Sequence, residues 1–237
     1  MPDPIVLPRM ARLRGAIARS STWWGRAFVR SFEETALDPA DLGAARTLAR
    51  SGRLGAIVVL ESMASAVVDP ATESPLMAQV KVDRLDDKGW TSFAREAARE
   101  SGFVADLEAG ELPVDLVEHA DEVGVEVLPG PGDIDAACEC DTWAQPCVHA
   151  LALLYQLAWQ VDRDPYVLIL LRGRTREHLL EEVHALATGG EVPGEAERAD
   201  ARIRAAQVLA LAEDAPAGHG LADAAVAAYD EAVSRLL

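Results

Sequence analysis

Three cysteines and one histidine fall within twelve residues of this chain, and the chain contains no other cysteine. The segment reads Cys138-Glu139-Cys140-Asp141-Thr142-Trp143-Ala144-Gln145-Pro146-Cys147-Val148-His149. Three thiols and one imidazole are the donor types and the donor number of a closed tetrahedral zinc site. The pattern therefore predicts one structural zinc ion (Zn²⁺) bound by Cys138, Cys140, Cys147 and His149.

The two pairs of donors need different backbone conformations to reach one ion. Side chains at i and i+2 of an extended strand point to the same face, so Cys138 and Cys140 suit a strand. Side chains at i and i+2 diverge on an ideal helix, so Cys147 and His149 should lie where a turn enters a helix. Pro146 favours that interpretation, because proline is common at helix starts. The expected unit is a strand, a reversal and a helix start around one metal.

Other chemistries fit these residues less well. Three cysteines cannot all pair, and Cys138 and Cys140 are too close for an unstrained disulfide. A nucleophilic Cys147 with His149 as its base is an alternative, but this spacing does not aim one side chain at the other. An iron–sulfur site normally uses four cysteines. Plain burial of the three thiols is the remaining alternative.

The pattern Cys-x-Cys-x6-Cys-x-His resembles the SWIM zinc finger, and its flanks resemble actinobacterial SWIM zinc finger proteins. All four ligand positions are intact, whereas Val148 stands where that family commonly has a lysine, which puts in question a nucleic-acid contact through that lysine. The resemblance runs over residues 20 to 187. The similar flanking stretches are Ser21-Thr22-Trp23-Trp24-Gly25-Arg26, Gly110-Glu111-Leu112-Pro113, Asp162-Arg163-Asp164-Pro165-Tyr166 and Leu171-Arg172-Gly173-Arg174.

This resemblance implies zinc binding, with DNA binding or protein interaction as its purpose. Bacterial members resemble partners of SNF2-type helicase ATPases, so a helicase of that type is the implied protein partner.

Composition limits the function classes. The chain has 237 residues, of which 50% are hydrophobic and 26% charged, which suits one core or a core with a small module. Cysteines committed to a metal fit a reducing compartment, and the N-terminus has no signal-peptide pattern. The longest apolar runs are far shorter than the roughly 18 residues that cross a bilayer. We expect a cytoplasmic protein without a membrane partner.

Charge is distributed unevenly along the chain. Residues 1–56 carry nine arginines against five acidic residues, whereas the whole chain has a formal net charge of −17. A protein that binds duplex DNA normally has a basic domain or face, because neutralisation of phosphates dominates its affinity. The acidic body therefore disfavours nucleic acid and favours a protein partner.

The remaining patterns predict an α+β fold: a small antiparallel sheet with packed helices, a zinc finger made of a β-hairpin and a helix, and an α-helical C-terminal tail. Three strands are expected within residues 56–82, and the hairpin of the finger is expected from residues 124–128 and 134–140. The chain divides into a flexible arginine-containing lead (1–20), an N-terminal α+β region (21–120), the finger with its following helices (121–190), and a linker with a helical hairpin (191–237).

Three further expectations concern individual side chains. Trp24, Phe28 and Phe32 recur at helical spacing and should form a core stripe rather than a base-stacking surface. Trp143 should pack over the metal site and limit solvent access. A solvated turn is expected for the compact basic cluster of Arg172, Arg174 and Arg176.

Three function classes follow from these patterns. The first is a non-enzymatic zinc-binding adaptor for protein–protein interaction, with an SNF2-type ATPase as the suggested partner. The second is a DNA-binding accessory subunit that uses the finger and the N-terminal residues Arg9, Arg12, Arg14 and Arg19. A zinc enzyme comes third, because four protein ligands leave no open coordination position.

Overall fold

The computed structural model of the protein describes residues 4–13, 20–143 and 145–190. In these ranges the strands are β1 (Ile5–Leu7), β2 (Leu54–Leu60), β3 (Met63–Val68), β4 (Leu76–Val82) and β5 (Ile134–Cys138). The helices are α1 (Trp23–Glu33), α2 (Pro39–Arg50), α3 (Asp87–Ala98), α4 (Ser101–Ala109), α5 (Val114–Glu122), α6 (Val148–Arg163), α7 (Pro165–Leu171) and α8 (Arg176–Ala187). The predicted α+β class, with its small antiparallel sheet and packed helices, is confirmed.

All five strands form one antiparallel sheet in the order β1-β2-β3-β4-β5. Alternate residues of the central strands are buried, as expected for a sheet that packs its core on one face. In the last ladder Val80 lies opposite Ala136 and Ala78 opposite Cys138. Cys138 therefore follows Ile134 and Ala136 on the core-facing side of β5.

The predicted hairpin of the finger is wrong in one arm, because residues 124–128 form no strand. Val125 and Val127 are buried alternately, which is the pattern that suggested a strand. The carbonyl of Glu126 instead accepts a hydrogen bond from the side chain of Arg172 at 2.7 Å. The partner of β5 is β4, which precedes it by three helices, so long-range pairing delivers the first two cysteines.

The predicted flexible lead contributes a strand to the sheet. Residues 5–7 of the predicted flexible lead form the edge strand β1, which pairs with β2. Arg14 and Arg19 lie outside the described residues, as do the predicted linker and helical hairpin of 191–237. The four-part division of the chain stays a prediction.

Helix α6 is the centre of the fold. Every residue from Ala150 to Ala158 is buried, as expected of a helix that is apolar on all sides. It packs against α1, α2 and α7 and against β3, β4 and β5. The stripe of Trp24, Phe28 and Phe32 is buried against this core, as predicted.

Local capping signals set several helix starts. The side chains of Thr22, Asp38, Asp164 and Thr175 accept backbone hydrogen bonds at the N-termini of α1, α2, α7 and α8. None of the helices within the described ranges combines the length and apolar composition needed to cross a bilayer.

The prediction of a solvated basic turn at residues 172–176 is wrong for two of its three arginines. Arg172 is 4% exposed and donates to the carbonyls of Asp83 and Glu126 and to the Asp133 carboxylate. Arg174 is also buried, pairs with Asp87 and lies over the ring of Trp90. These two arginines connect segments that are far apart in sequence, so their role is to stabilise the fold.

Candidate metal centre

The four predicted ligands meet where β5 ends and α6 begins. One donor atom from each of Cys138, Cys140, Cys147 and His149 lies within 4.8 Å of all the others. Cys147 is buried and the other three are partly buried, so the cluster lies just beneath the surface. The sequence prediction that these residues come together is confirmed, and the cluster could hold a metal ion.

Each pair of ligands is positioned by one element. Cys138 is the last residue of β5, and Cys140 follows two residues later beyond the strand. Cys147 is the N-cap of α6, and His149 lies in the first turn of that helix. Pro146 immediately precedes the N-cap and therefore lies just before the helix. Its peptide bond with Gln145 is cis.

The separations of the donors match tetrahedral coordination. Two sulfurs that are each about 2.3 Å from a tetrahedral zinc lie about 3.8 Å apart. The Sγ atoms of Cys140 and Cys147 are 3.5 Å apart, and Cys147 Sγ is 3.9 Å from His149 Nδ1. Small shifts of the side chains would therefore place all four donors around one ion.

Protonation of the three thiols differs within the cluster. Burial raises the pKa of Cys138 to about 12 and also raises the pKa of Cys147 above its ordinary value. Burial opposes ionisation of Cys140 as well, but hydrogen bonds from His149 and from Thr142 lower its pKa to about 6. A bound cation would favour thiolates at all three positions, so metal and protons compete for the site.

The surroundings of the site include residues that the sequence patterns did not single out. Thr142 donates from its backbone and its hydroxyl to Cys140. Arg53 pairs with Asp69 and lowers the pKa of that carboxyl, with a smaller contribution from His149. Arg53 precedes β2 and Asp69 follows β3, so the two residues face each other at the open end of this hairpin. Both are far from His149 in sequence, so no local motif could have placed them near the imidazole.

Trp143 does not cover the metal site, and that prediction is wrong. Its side chain is 92% exposed at the outer end of the loop that joins the two ligand pairs. The adjacent Glu139 and Asp141 are exposed as well. The indole therefore lies in solvent and does not shield the cluster.

Comparisons with known proteins provide one relative. The chain is 30% identical over 181 residues to the uncharacterized protein Rv2102 of Mycobacterium tuberculosis. That alignment covers 76% of this chain and 64% of Rv2102, so the chain spans less than two thirds of the relative. No family model matches the chain, and no solved structure matches it significantly.

Proposed function

We propose that Cys138, Cys140, Cys147 and His149 bind one Zn²⁺ ion in a structural site of the SWIM type. The observation that carries this proposal is the convergence of all four donor atoms within 4.8 Å at the junction of β5 and α6. Thiolate and imidazole donors in a tetrahedral set suit zinc better than magnesium or calcium, which prefer oxygen donors.

The role proposed for the ion is structural rather than catalytic. Catalytic zinc normally keeps one coordination position for water or substrate, and four protein donors fill all the positions of a tetrahedron. In this site the ion would tie the edge of the sheet to the start of the central helix. We therefore propose a non-enzymatic protein in which zinc holds β5 and α6 in a fixed relation.

The proposed task of this zinc-supported region is to bind a protein partner. An exposed tryptophan is a typical anchor of protein interfaces, and Trp143 lies on a loop that the metal would rigidify. Glu139 and Asp141 beside it, and the net charge of −17, favour a partner with a basic surface around an apolar pocket. The resemblance to SWIM zinc fingers suggests an SNF2-type ATPase as that partner.

The alternative of a DNA-binding subunit has less support. Arg9 donates two hydrogen bonds to the carbonyl of Gly52, so one of the four N-terminal arginines has an intramolecular role. Val148 replaces the lysine expected beside the ligand histidine. Both observations favour a protein partner over a phosphate backbone.

Metal content and stability test the structural part of the proposal. Elemental analysis of purified protein should find one zinc per chain, and replacement of Cys147 by serine should abolish it. Chelation should lower the melting temperature and remove amide protection from the first turn of α6. Zinc-free protein with the same melting temperature and amide protection as the zinc-loaded protein would contradict the proposal.

Affinity purification from the native cell tests the adaptor part. An SNF2-type ATPase should be recovered with the wild-type chain after nuclease treatment and lost with Trp143→Ala. Leu37→Ala is the matched control, because it also removes an exposed apolar side chain, 66% exposed, from a different surface. Recovery that depends entirely on nucleic acid would support the DNA-binding alternative instead.

A further inference from the structure

A groove with a volume of about 530 Å³ lies between α1, α2 and α6, on a surface that none of the four metal ligands lines. Ligand pockets typically have volumes of roughly 300–1,000 Å³. We call this groove the arginine groove, because its walls carry Arg26 and Arg30 from α1 and Arg46 and Arg50 from α2. Residues four apart lie on one face of a helix, so each wall presents two guanidinium groups.

The lining of the groove has an excess of positive charge. Its four arginines are accompanied by two carboxylates, those of Glu33 and Glu34. Glu33 accepts from Arg46 at 2.5 Å and from the Tyr155 hydroxyl at 2.6 Å, so this carboxylate and Arg46 are both engaged. Arg26 donates to the carbonyl of Ser21 at 2.6 Å. The guanidinium of Arg30 makes no hydrogen bond or ion pair within the described part of the chain. A protein with a net charge of −17 thus has a local site suited to an anion.

A buried hydroxyl without a partner gives independent evidence for a ligand. Ser20 lines the groove, is 8% exposed, and its Oγ has no hydrogen-bond partner among the described residues. A buried polar group without a partner costs free energy. The oxygen has almost no exposed surface, so a ligand in the groove would reach it only after a rotation of the Ser20 side chain.

The apolar lining limits the class of ligand further. The apolar and aromatic residues of the lining are Val29, Leu42, Tyr155 and Trp159. Trp159 is half-buried, so part of its indole remains accessible. Aromatic rings and guanidinium planes stack on nucleic-acid bases, and guanidinium groups bind phosphate with two parallel hydrogen bonds. An inorganic anion would contact the arginines but would make no contact with the apolar residues of the lining.

We propose that the arginine groove binds a nucleotide, with its phosphate on the arginines and the Ser20 hydroxyl and its base against Trp159. Two sources share this chemistry, a free nucleotide and a nucleotide within a single strand. The groove is separate from the proposed metal site, so this proposal holds whichever metal that site binds.

Calorimetric titration of the full chain provides the first test, with adenosine 5′-monophosphate, a ten-residue oligodeoxythymidylate and inorganic phosphate as the three probes. At least one of the two nucleotide probes should bind more tightly than inorganic phosphate, and its affinity should fall with added salt. Binding of the monophosphate alone assigns a free nucleotide, and binding of the oligonucleotide identifies a strand as the source. If neither nucleotide probe binds better than inorganic phosphate, the proposal is overturned.

Paired variants locate the binding. Replacement of Arg30 and Arg50 by alanine should weaken nucleotide binding at least about tenfold, since each guanidinium is a charged donor. The control pair Arg95→Ala and Arg163→Ala removes the same charge from exposed positions outside the groove and should change affinity little. An equal loss in both pairs would show a general charge effect and overturn the proposed site.

Ser20→Ala separates ligand binding from a structural role. If the hydroxyl serves a ligand, its removal should weaken nucleotide binding roughly fivefold while the melting temperature of the free protein stays the same or rises. A lower melting temperature with unchanged affinity would contradict the role assigned to Ser20. Trp159→Phe should retain most of the affinity and Trp159→Leu should lose it, because only the former keeps an aromatic ring.

Discussion

Asp162 near the end of α6 accepts hydrogen bonds from both the backbone amide and the hydroxyl of Thr22, at 2.8 and 2.7 Å. Its second oxygen accepts from the amide and hydroxyl of Ser21 at 3.0 and 2.9 Å. Thr22 is the N-cap of α1, so one carboxylate fixes the start of α1 to the central helix. Residues 21–26 and 162–166, which are far apart in sequence, therefore meet in the fold.

Residues 110–113 join the same region. Trp23 donates from its indole nitrogen to the carbonyl of Leu112 at 2.9 Å. The contact links the start of α1 to the segment before α5. The flanking motifs thus position helices around α6, and their residues have packing roles that a sequence pattern alone does not reveal.

Replacing Asp162 by alanine should lower the free energy of unfolding by about 2–3 kcal/mol, because four donors lose a charged acceptor. Urea unfolding measures the change. Glu118→Ala is the control, since it removes an exposed carboxylate from a helix and should alter stability by less than about 0.5 kcal/mol. Equal effects of the two substitutions would show that the Asp162 contacts do not stabilise the fold.

Acid should reduce the contribution of Asp162. Burial alone would raise its pKa, but the hydrogen bonds from Ser21 and Thr22 outweigh burial and hold the pKa below the ordinary value. A carboxyl with a lowered pKa in the folded protein stabilises fully above the unfolded value of about 3.9 and loses this effect as pH falls through the folded pKa. The difference in unfolding free energy between wild type and Asp162→Ala should be constant near neutral pH and shrink below about pH 4.

Two glycines in helices should respond to alanine in opposite directions. A Cβ on Gly25 would lie 2.6 Å from Asp162 Oδ1 and 2.9 Å from Thr22 Oγ1, so alanine would displace that contact. A Cβ on Gly43 in α2 would meet nothing within 4 Å. Thermal unfolding should show Gly25→Ala destabilised by about 1–3 kcal/mol and Gly43→Ala stabilised by up to about 1 kcal/mol. Stabilisation of both variants would exclude close packing at Gly25.

Metal binding near neutral pH should release about two protons from the three thiols. The pKa of Cys138 is raised to about 12 and that of Cys147 is raised, whereas that of Cys140 is lowered to about 6. Calorimetry of zinc binding by the metal-free wild-type chain, in buffers with different ionisation enthalpies, measures this count. Release of about three protons would contradict the assignment of the thiolate to Cys140.

Arg172 and Arg176 should differ in their effect on stability. Arg172→Ala leaves the carbonyls of Asp83 and Glu126 without their donor and is expected to cost about 3 kcal/mol. Arg176 is exposed, donates to the carbonyl of Glu108 and lies over the ring of Tyr166, so its replacement should cost about 1 kcal/mol. Urea unfolding of the two variants measures this difference, and similar losses would contradict a special role for the buried guanidinium.

Sequence patterns were most informative where neighbouring residues decide the structure. The residue types at Thr22, Asp38, Asp164 and Thr175 favour helix starts, because an N-cap depends on hydrogen bonds within one turn. The ligand set at residues 138–149 was predictable for the same reason, since its donors are close in the chain. The buried stripe of Trp24, Phe28 and Phe32 on α1 was predictable from the helical spacing of these residues.

Patterns failed where two distant segments compete for one position. Residues 124–128 have the alternation of a strand, but the Glu126 carbonyl accepts from the distant side chain of Arg172, and β5 pairs with β4 instead. Trp143 was expected over the metal because aromatic side chains are usually buried, yet its loop directs it into solvent. The basic cluster at 172–176 has the composition of a surface turn, and only its packing neighbours show that Arg172 and Arg174 are buried.

By itself, the sequence determined the α+β class, the apolar stripe of α1 and the four residues of the candidate metal site, because each depends on local hydrogen bonding or short-range geometry. The tertiary structure decided which strand pairs with β5, which arginines are buried and that α1 and α2 enclose a groove beside α6. Those features depend on contacts between residues far apart in the chain, and their free energy comes from packing and long-range hydrogen bonds that no single segment contains.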